Sequence, residues 1–103
     1  MDSKRQHKYA KLFLKDLAEI FQQQYRDSFN PAFVTLTDDE VSPDLGIASV
    51  YVSVLPISEK DRVLASIENK KSHISGELGK RIGKQARIVP DLRFYLDDTE
   101  DNA

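Results

Sequence analysis

Cysteine is absent from this chain of 103 residues, which excludes disulfides, thiolate nucleophiles and cysteine-ligated zinc. Tryptophan is absent too, and histidine occurs only as His7 and His73, so an all-imidazole metal centre lacks ligands. No apolar run approaches the roughly 18 residues that cross a bilayer, and the start, Met1 to Lys8, lacks the apolar core of a secretory signal. A cytoplasmic protein with no membrane contact, metal or cofactor is expected. No nucleophile, acid and base converge in the pattern, so catalysis is not expected. Gly79-Lys80-Arg81-Ile82-Gly83-Lys84 has neither the four-residue gap nor the following Ser/Thr of a phosphate-binding loop. With 40% apolar residues and neither repeat nor low-complexity linker, the chain reads as one domain held by a hydrophobic core.

Charge is present in quantity but segregated. The formal net charge is -2. Residues 1–29 hold six Lys/Arg against four Asp/Glu, whereas residues 30–59 hold none against five. Residues 60–93 hold nine against four, and the last ten residues hold none against four. One basic and one acidic surface are therefore expected, an arrangement that matters to a polyanionic partner more than the mean charge does.

Ala10, Phe13, Leu14, Leu17, Ile20 and Phe21 recur at three- and four-residue steps. That spacing predicts an amphipathic helix from an Asp2 or Ser3 cap to about Tyr25. Its outer side carries Lys4, Arg5, Lys8, Lys11 and Lys15. Cations in the first turn oppose the helix dipole at a cost of about 0.3–1 kcal/mol, which suggests a purpose beyond solvation. Asn30-Pro31 ends the helix. Residues 32–41 and 47–55 then alternate as two strands of an antiparallel hairpin around Ser42-Pro43-Asp44-Leu45-Gly46. Ser58 with Asp61 reads as a capping box. Val63, Leu64, Ile67, Ile74, Leu78 and Ile82 continue a helical stripe that the polar run from Glu68 to His73 interrupts. Two helices, or one kinked near Lys71-Ser72, are expected. Residues 87–96 form the last strand, with Pro90 marking an edge or bulge. This order implies a right-handed crossover to a parallel third strand and a three-stranded sheet with helices on one face.

The chemistry-bearing candidates are few. Asp38-Asp39 and Asp97-Asp98 each sit at a strand end, where solvation of a turn is the ordinary role and a cation site the alternative. His73 titrates near neutrality if buried beside a charge. Gly76-Glu77-Leu78-Gly79 matches the glycine pair of KH domains, but it falls inside a predicted helix and carries a carboxylate that repels phosphate. The basic cluster is the stronger signal. Lys70 and Lys71 lie at the helical interruption, and Lys80, Arg81, Lys84 and Arg87 lead to the last strand, with Lys80 and Lys84 one turn apart.

The order of elements and several strings resemble the ribosome-binding factor A family. The strings are Val41-Ser42-Pro43-Asp44-Leu45 with residues 48–55, Ile74 with residues 77–82, and above all residues 87–98, from Arg87-Ile88-Val89-Pro90-Asp91 to Leu96-Asp97-Asp98. The resemblance implies an α+β, KH-like type II fold, ordered helix-strand-strand-helix-kink-helix-strand, over residues 1–96. A short acidic tail spans 97–103. It also implies a non-enzymatic factor that binds the immature small ribosomal subunit and its rRNA, assists processing of the rRNA 5′ end and supports growth in the cold; a monomer is expected. Where the family has an Ala-any-Gly kink, this chain has Lys70, Lys71 and Ser72. The expected rRNA contacts are Lys4, Arg5, Lys8, Lys11, Lys70, Lys71, Ser72, Lys80, Arg81, Lys84 and Arg87. The competing expectation is a protein-interaction module that binds a basic protein through its acidic hairpin and tail.

Overall fold

A computed structural model describes residues 3–83 and 88–97. Helix α1 (Lys4–Gln24) starts at Ser3, whose side chain accepts from the Gln6 amide while the Gln6 side chain accepts from the Ser3 amide. This reciprocal cap satisfies two backbone donors that a helix start otherwise leaves open. Gln6 Nε2 also donates to the Val41 carbonyl at 2.8 Å, a buried bond that ties the start of α1 to the end of strand β1 (Phe33–Val41).

β1 runs antiparallel to β2 (Ile47–Leu55), and β2 runs parallel to β3 (Asp91–Leu96), so the mixed sheet has the order β1-β2-β3. A bulge shifts the β1 register: Leu36 pairs with Val52 and Asp38 with Tyr51, leaving Thr37 as the extra residue. One extra residue exchanges the faces of everything after it. Val34 and Leu36 face the helices before the bulge, Asp39 and Val41 after it, and Asp38 and Glu40 are turned to solvent. In the hairpin turn Leu45 takes a left-handed φ of 62° while its side chain is buried. Asp44 steadies that turn by accepting from the Gly46 amide and the Ser42 hydroxyl, which hold its carboxyl below the usual range.

The 3₁₀ turn Ile57–Glu59 leads into α2 (Lys60–Ile82). The capping box expected at Ser58 does not form, because Ser58 lies inside that turn and Glu59 occupies the cap without a side-chain bond. The two predicted helical segments are a single 23-residue helix. The polar run does not break it because Val63, Ile67, Ile74, Leu78 and Ile82 all keep one buried face across the interruption. Gly76 to Gly79 is helix, not a loop. β3 begins at Asp91, later than residue 87, since Pro90 cannot donate to a ladder; Pro90 is buried just before it.

α1 packs on β1, and α2 packs on β3 and β2. Both helices cover the face built from Ala48, Val50, Val52 and Val54. Phe13, Leu17 and Ile20 from α1 meet the α2 stripe there, each fully buried side chain contributing about 1.5–3 kcal/mol. The result is the two-layer α+β arrangement expected, with the helix-kink-helix realised as one helix.

Candidate nucleic-acid interface

The helices lie antiparallel, and polar seams fix their relation. Arg81 Nη1 donates to Glu19 at 2.7 Å and its Nη2 to Gln23 at 2.7 Å. Further along, Gln24 Nε2 donates to Glu77 at 2.7 Å, and the Tyr25 hydroxyl is hydrogen-bonded to His73 Nδ1. Gln24 and then Lys80 hold the Glu77 carboxyl below its usual range. Each of these ties involves the second half of α1 or its C-cap Tyr25, and among the described residues no side-chain hydrogen bond or ion pair joins the first half of α1 to α2.

That first half carries the cations. At 100° per residue, Lys4, Lys8, Lys11 and Lys15 fall within about 60° of one another, on the side opposite Phe13, Leu17 and Ile20. They form a stripe about 16 Å long, with Arg5 beside it. All five are exposed. Among the described residues, Lys4, Arg5, Lys8 and Lys11 have no carboxylate partner. Arg5 and Lys8 lie 5.9 and 5.7 Å from the centroid of the Tyr9 ring. Lys15, which continues the stripe but was not among the expected contacts, is shared with Glu19 at 3.7 Å. The sequence signal that includes it is the 4-8-11-15 spacing.

The cations of α2 are differently placed. Lys80 is 3.1 Å from Glu77, Arg81 is spent on Glu19 and Gln23, and Lys71 is 3.8 Å from Glu68. Lys70 Nζ donates to the Ser66 hydroxyl at 3.0 Å. Lys70, Lys71 and Ser72 are mid-helix, so no free backbone N–H groups stand there to receive an anion. Following the antiparallel pairing, they lie roughly 30 Å along the helix axes from Lys8. The structure therefore does not gather the expected residues onto one patch: Lys4, Arg5, Lys8 and Lys11 stand together, Lys70 to Ser72 stand apart, and Lys80 and Arg81 are bound to carboxylates. Lys84 and Arg87 lie outside the described residues, as does most of the acidic tail.

Other candidates resolve simply. Strand alternation puts Asp38 and Asp39 on opposite faces, and the bulge decides that Asp39 is the buried one, so they do not converge on a cation. Asp39 is buried with Oδ2 unpartnered among the described residues, and burial, then Asp38, push its carboxyl up to about 7. No group of three His, Cys, Asp or Glu suited to a metal occurs among the described residues. None of their helices is long and apolar enough to cross a membrane.

A two-layer α+β domain with two helices on one face of a three-stranded mixed sheet of order β1-β2-β3 is a KH-like domain. Comparison with known proteins makes that class specific: the Ribosome-binding factor A family model matches residues 5–103, and the chain belongs to that family. The ribosome-binding factor A of Cytophaga hutchinsonii is 41% identical over 103 residues, covering 100% of this chain and 77% of the relative. That of Vibrio vulnificus (strain YJ016) is 39% identical over 100 residues, covering 95% and 74%. The crystal structure of ribosome-binding factor A from Thermus thermophilus shares the fold with a TM-score of 0.75 at 21% identity, over 88% of this chain and 94% of that one. A homology model of the Thermus thermophilus factor, fitted into a cryo-EM map of its 30S complex, has a TM-score of 0.68 at 23% identity, over 84% and 89%.

Proposed function

We propose that this chain binds the immature small ribosomal subunit by docking the first half of α1 on its rRNA. In this reading it assists maturation, including that of the rRNA 5′ end, without catalysis of its own. It acts as a cytoplasmic monomer with its greatest demand in the cold. Family membership and the 30S complex of the Thermus thermophilus factor support the partner. The observation that carries the surface is the line of Lys4, Arg5, Lys8 and Lys11, whose charges no described carboxylate neutralises. Ammonium groups on one helix edge meet successive phosphates and fix position, while the shape of the folded RNA supplies selectivity. Lys80 adds to the field from the neighbouring helix, and Arg81 acts first as a clamp. Lys70, Lys71 and Ser72 reach RNA only if it extends along α2 to its middle.

The experiment is a salt titration of binding to purified immature small subunits. Replacing Lys4, Lys8 and Lys11 by Ala should reduce the magnitude of the log–log salt slope by about 0.7–0.9 for each phosphate that the variant no longer neutralises. An unchanged slope rejects the surface. In cells, the same triple variant should accumulate small-subunit rRNA with an unprocessed 5′ end at low temperature; normal processing rejects the maturation role.

A further inference from the structure

Both helices cover one face of the sheet, and none of the described residues covers the other. Across it Phe33 stands opposite Leu55, Thr35 opposite Ser53, and Asp38 opposite Tyr51, with Tyr51 in turn opposite Tyr95. At one end Phe33 is 76% and Leu55 58% exposed, large apolar groups left in water. In the middle the Tyr51 and Tyr95 rings lie 5.8 Å apart. Asp38 is exposed beside that pair, and Glu40 and Asp91 are exposed toward the other end. The one cation on the three strands, Arg93, is held by Asp91 at 3.4 Å.

We propose that this open sheet face docks a short basic segment of a protein, one that carries arginine or lysine together with apolar side chains. The sign of the charge selects the partner. Asp38, Glu40 and Asp91 repel a phosphate backbone, so the tyrosine pair is not a base-stacking platform for RNA. The same rings offer π-faces to guanidinium or ammonium groups, and the flanking carboxylates add to that attraction. Phe33 and Leu55 give apolar side chains a place to leave water. Size argues against a second copy of this chain as the occupant. The face measures about 30 Å along the strands by 10 Å across them, the footprint of a segment and not of a globular interface. The surface lies on the layer opposite the α1 stripe, so the proposal stands independently of the RNA reading.

The test is NMR titration of the full chain with a nine-residue peptide of alternating arginine and leucine. Amide shifts confined to β1, β2 and β3, with affinity falling as salt rises, are the expected result. The double variant D38N/E40Q should weaken the peptide at least fivefold while still binding small-subunit rRNA, and F33S at least threefold. Mapping on the native chain needs no variant, so a substitution that unfolds the protein does not leave the question open. Absence of binding, shifts centred on α1, unchanged affinity in D38N/E40Q, or an rRNA fragment titrating the same strands would each overturn the proposal.

Discussion

Arg81 on α2 spans to α1 with both guanidinium arms, meeting Glu19 at 2.7 Å and Gln23 at 2.7 Å. A side chain that sequence composition places among the RNA contacts is thus committed to holding the two helices together. Replacing it by Ala should cost about 1 kcal/mol, equivalent to roughly 4–8 °C in Tm for a domain of this size. The salt slope of RNA binding should hardly move. Replacing Lys8 and Lys11 should do the reverse, leaving the melting curve in place and flattening the slope. Thermal unfolding and a salt titration on the same preparations separate the two roles.

Asp39 gives the fold an unusual pH dependence. Its carboxyl titrates at about 7 in the folded chain against an ordinary value of 3.8, so the folded state holds a proton that the unfolded state has released between those values. Stability from this group is fully present below about pH 4 and is lost as pH rises through about 7. Asp39→Asn should flatten that fall and be the more stable protein at about pH 8, by on the order of 1–2 kcal/mol. Urea midpoints measured from about pH 5 to 8 decide it; parallel curves for the two proteins would reject the assignment.

The glycines of α2 are not equivalent. A methyl group added at Gly76 would meet open space, whereas one at Gly79 would sit 3.2 Å from Val89 Cγ2. Gly76→Ala should therefore stabilise the protein by about 0.5–1 kcal/mol through helix propensity alone. Gly79→Ala should gain less, because Val89 has to give way. Denaturation of the two variants side by side reads the difference directly.

Gln6 does three things at once: its amide and side chain complete the cap with Ser3, and its Nε2 satisfies the buried Val41 carbonyl. Gln6→Ala should cost about 2 kcal/mol, more than loss of an ordinary cap. Hydrogen exchange should show the first turn of α1 opening. Weaker RNA binding should accompany it, since Lys4, Arg5 and Lys8 depend on that turn for their alignment.

Local pattern made much of this legible. The apolar steps of α1, the alternation of β2 and the parallel return of β3 follow from periodicities of 3.6 and 2, which burial imposes wherever one face is covered. Thr37 escaped, because a bulge is a register event between two strands and leaves no mark on one strand's composition. Without it Asp38 and Glu40 would face the helices; with it only Asp39 does. The continuity of α2 escaped for the opposite reason. Lys70 and Lys71 look like an interruption by residue type, yet both are half-buried on the helix, where long aliphatic stems can lie on apolar surface while the ammonium groups reach Ser66 and Glu68. The spread of the cationic residues escaped because their pairing across α1 and α2, at Glu19–Arg81 above all, is a tertiary fact.

The separation of cations on the α1 edge from carboxylates on the other face of the sheet has a consequence before any contact is made. A molecule polarised in this way experiences a torque in the field of a large polyanion, and diffusional encounters are biased toward the helical side leading. Arrival in that attitude leaves the strands pointing outward, accessible to whatever next approaches from solution.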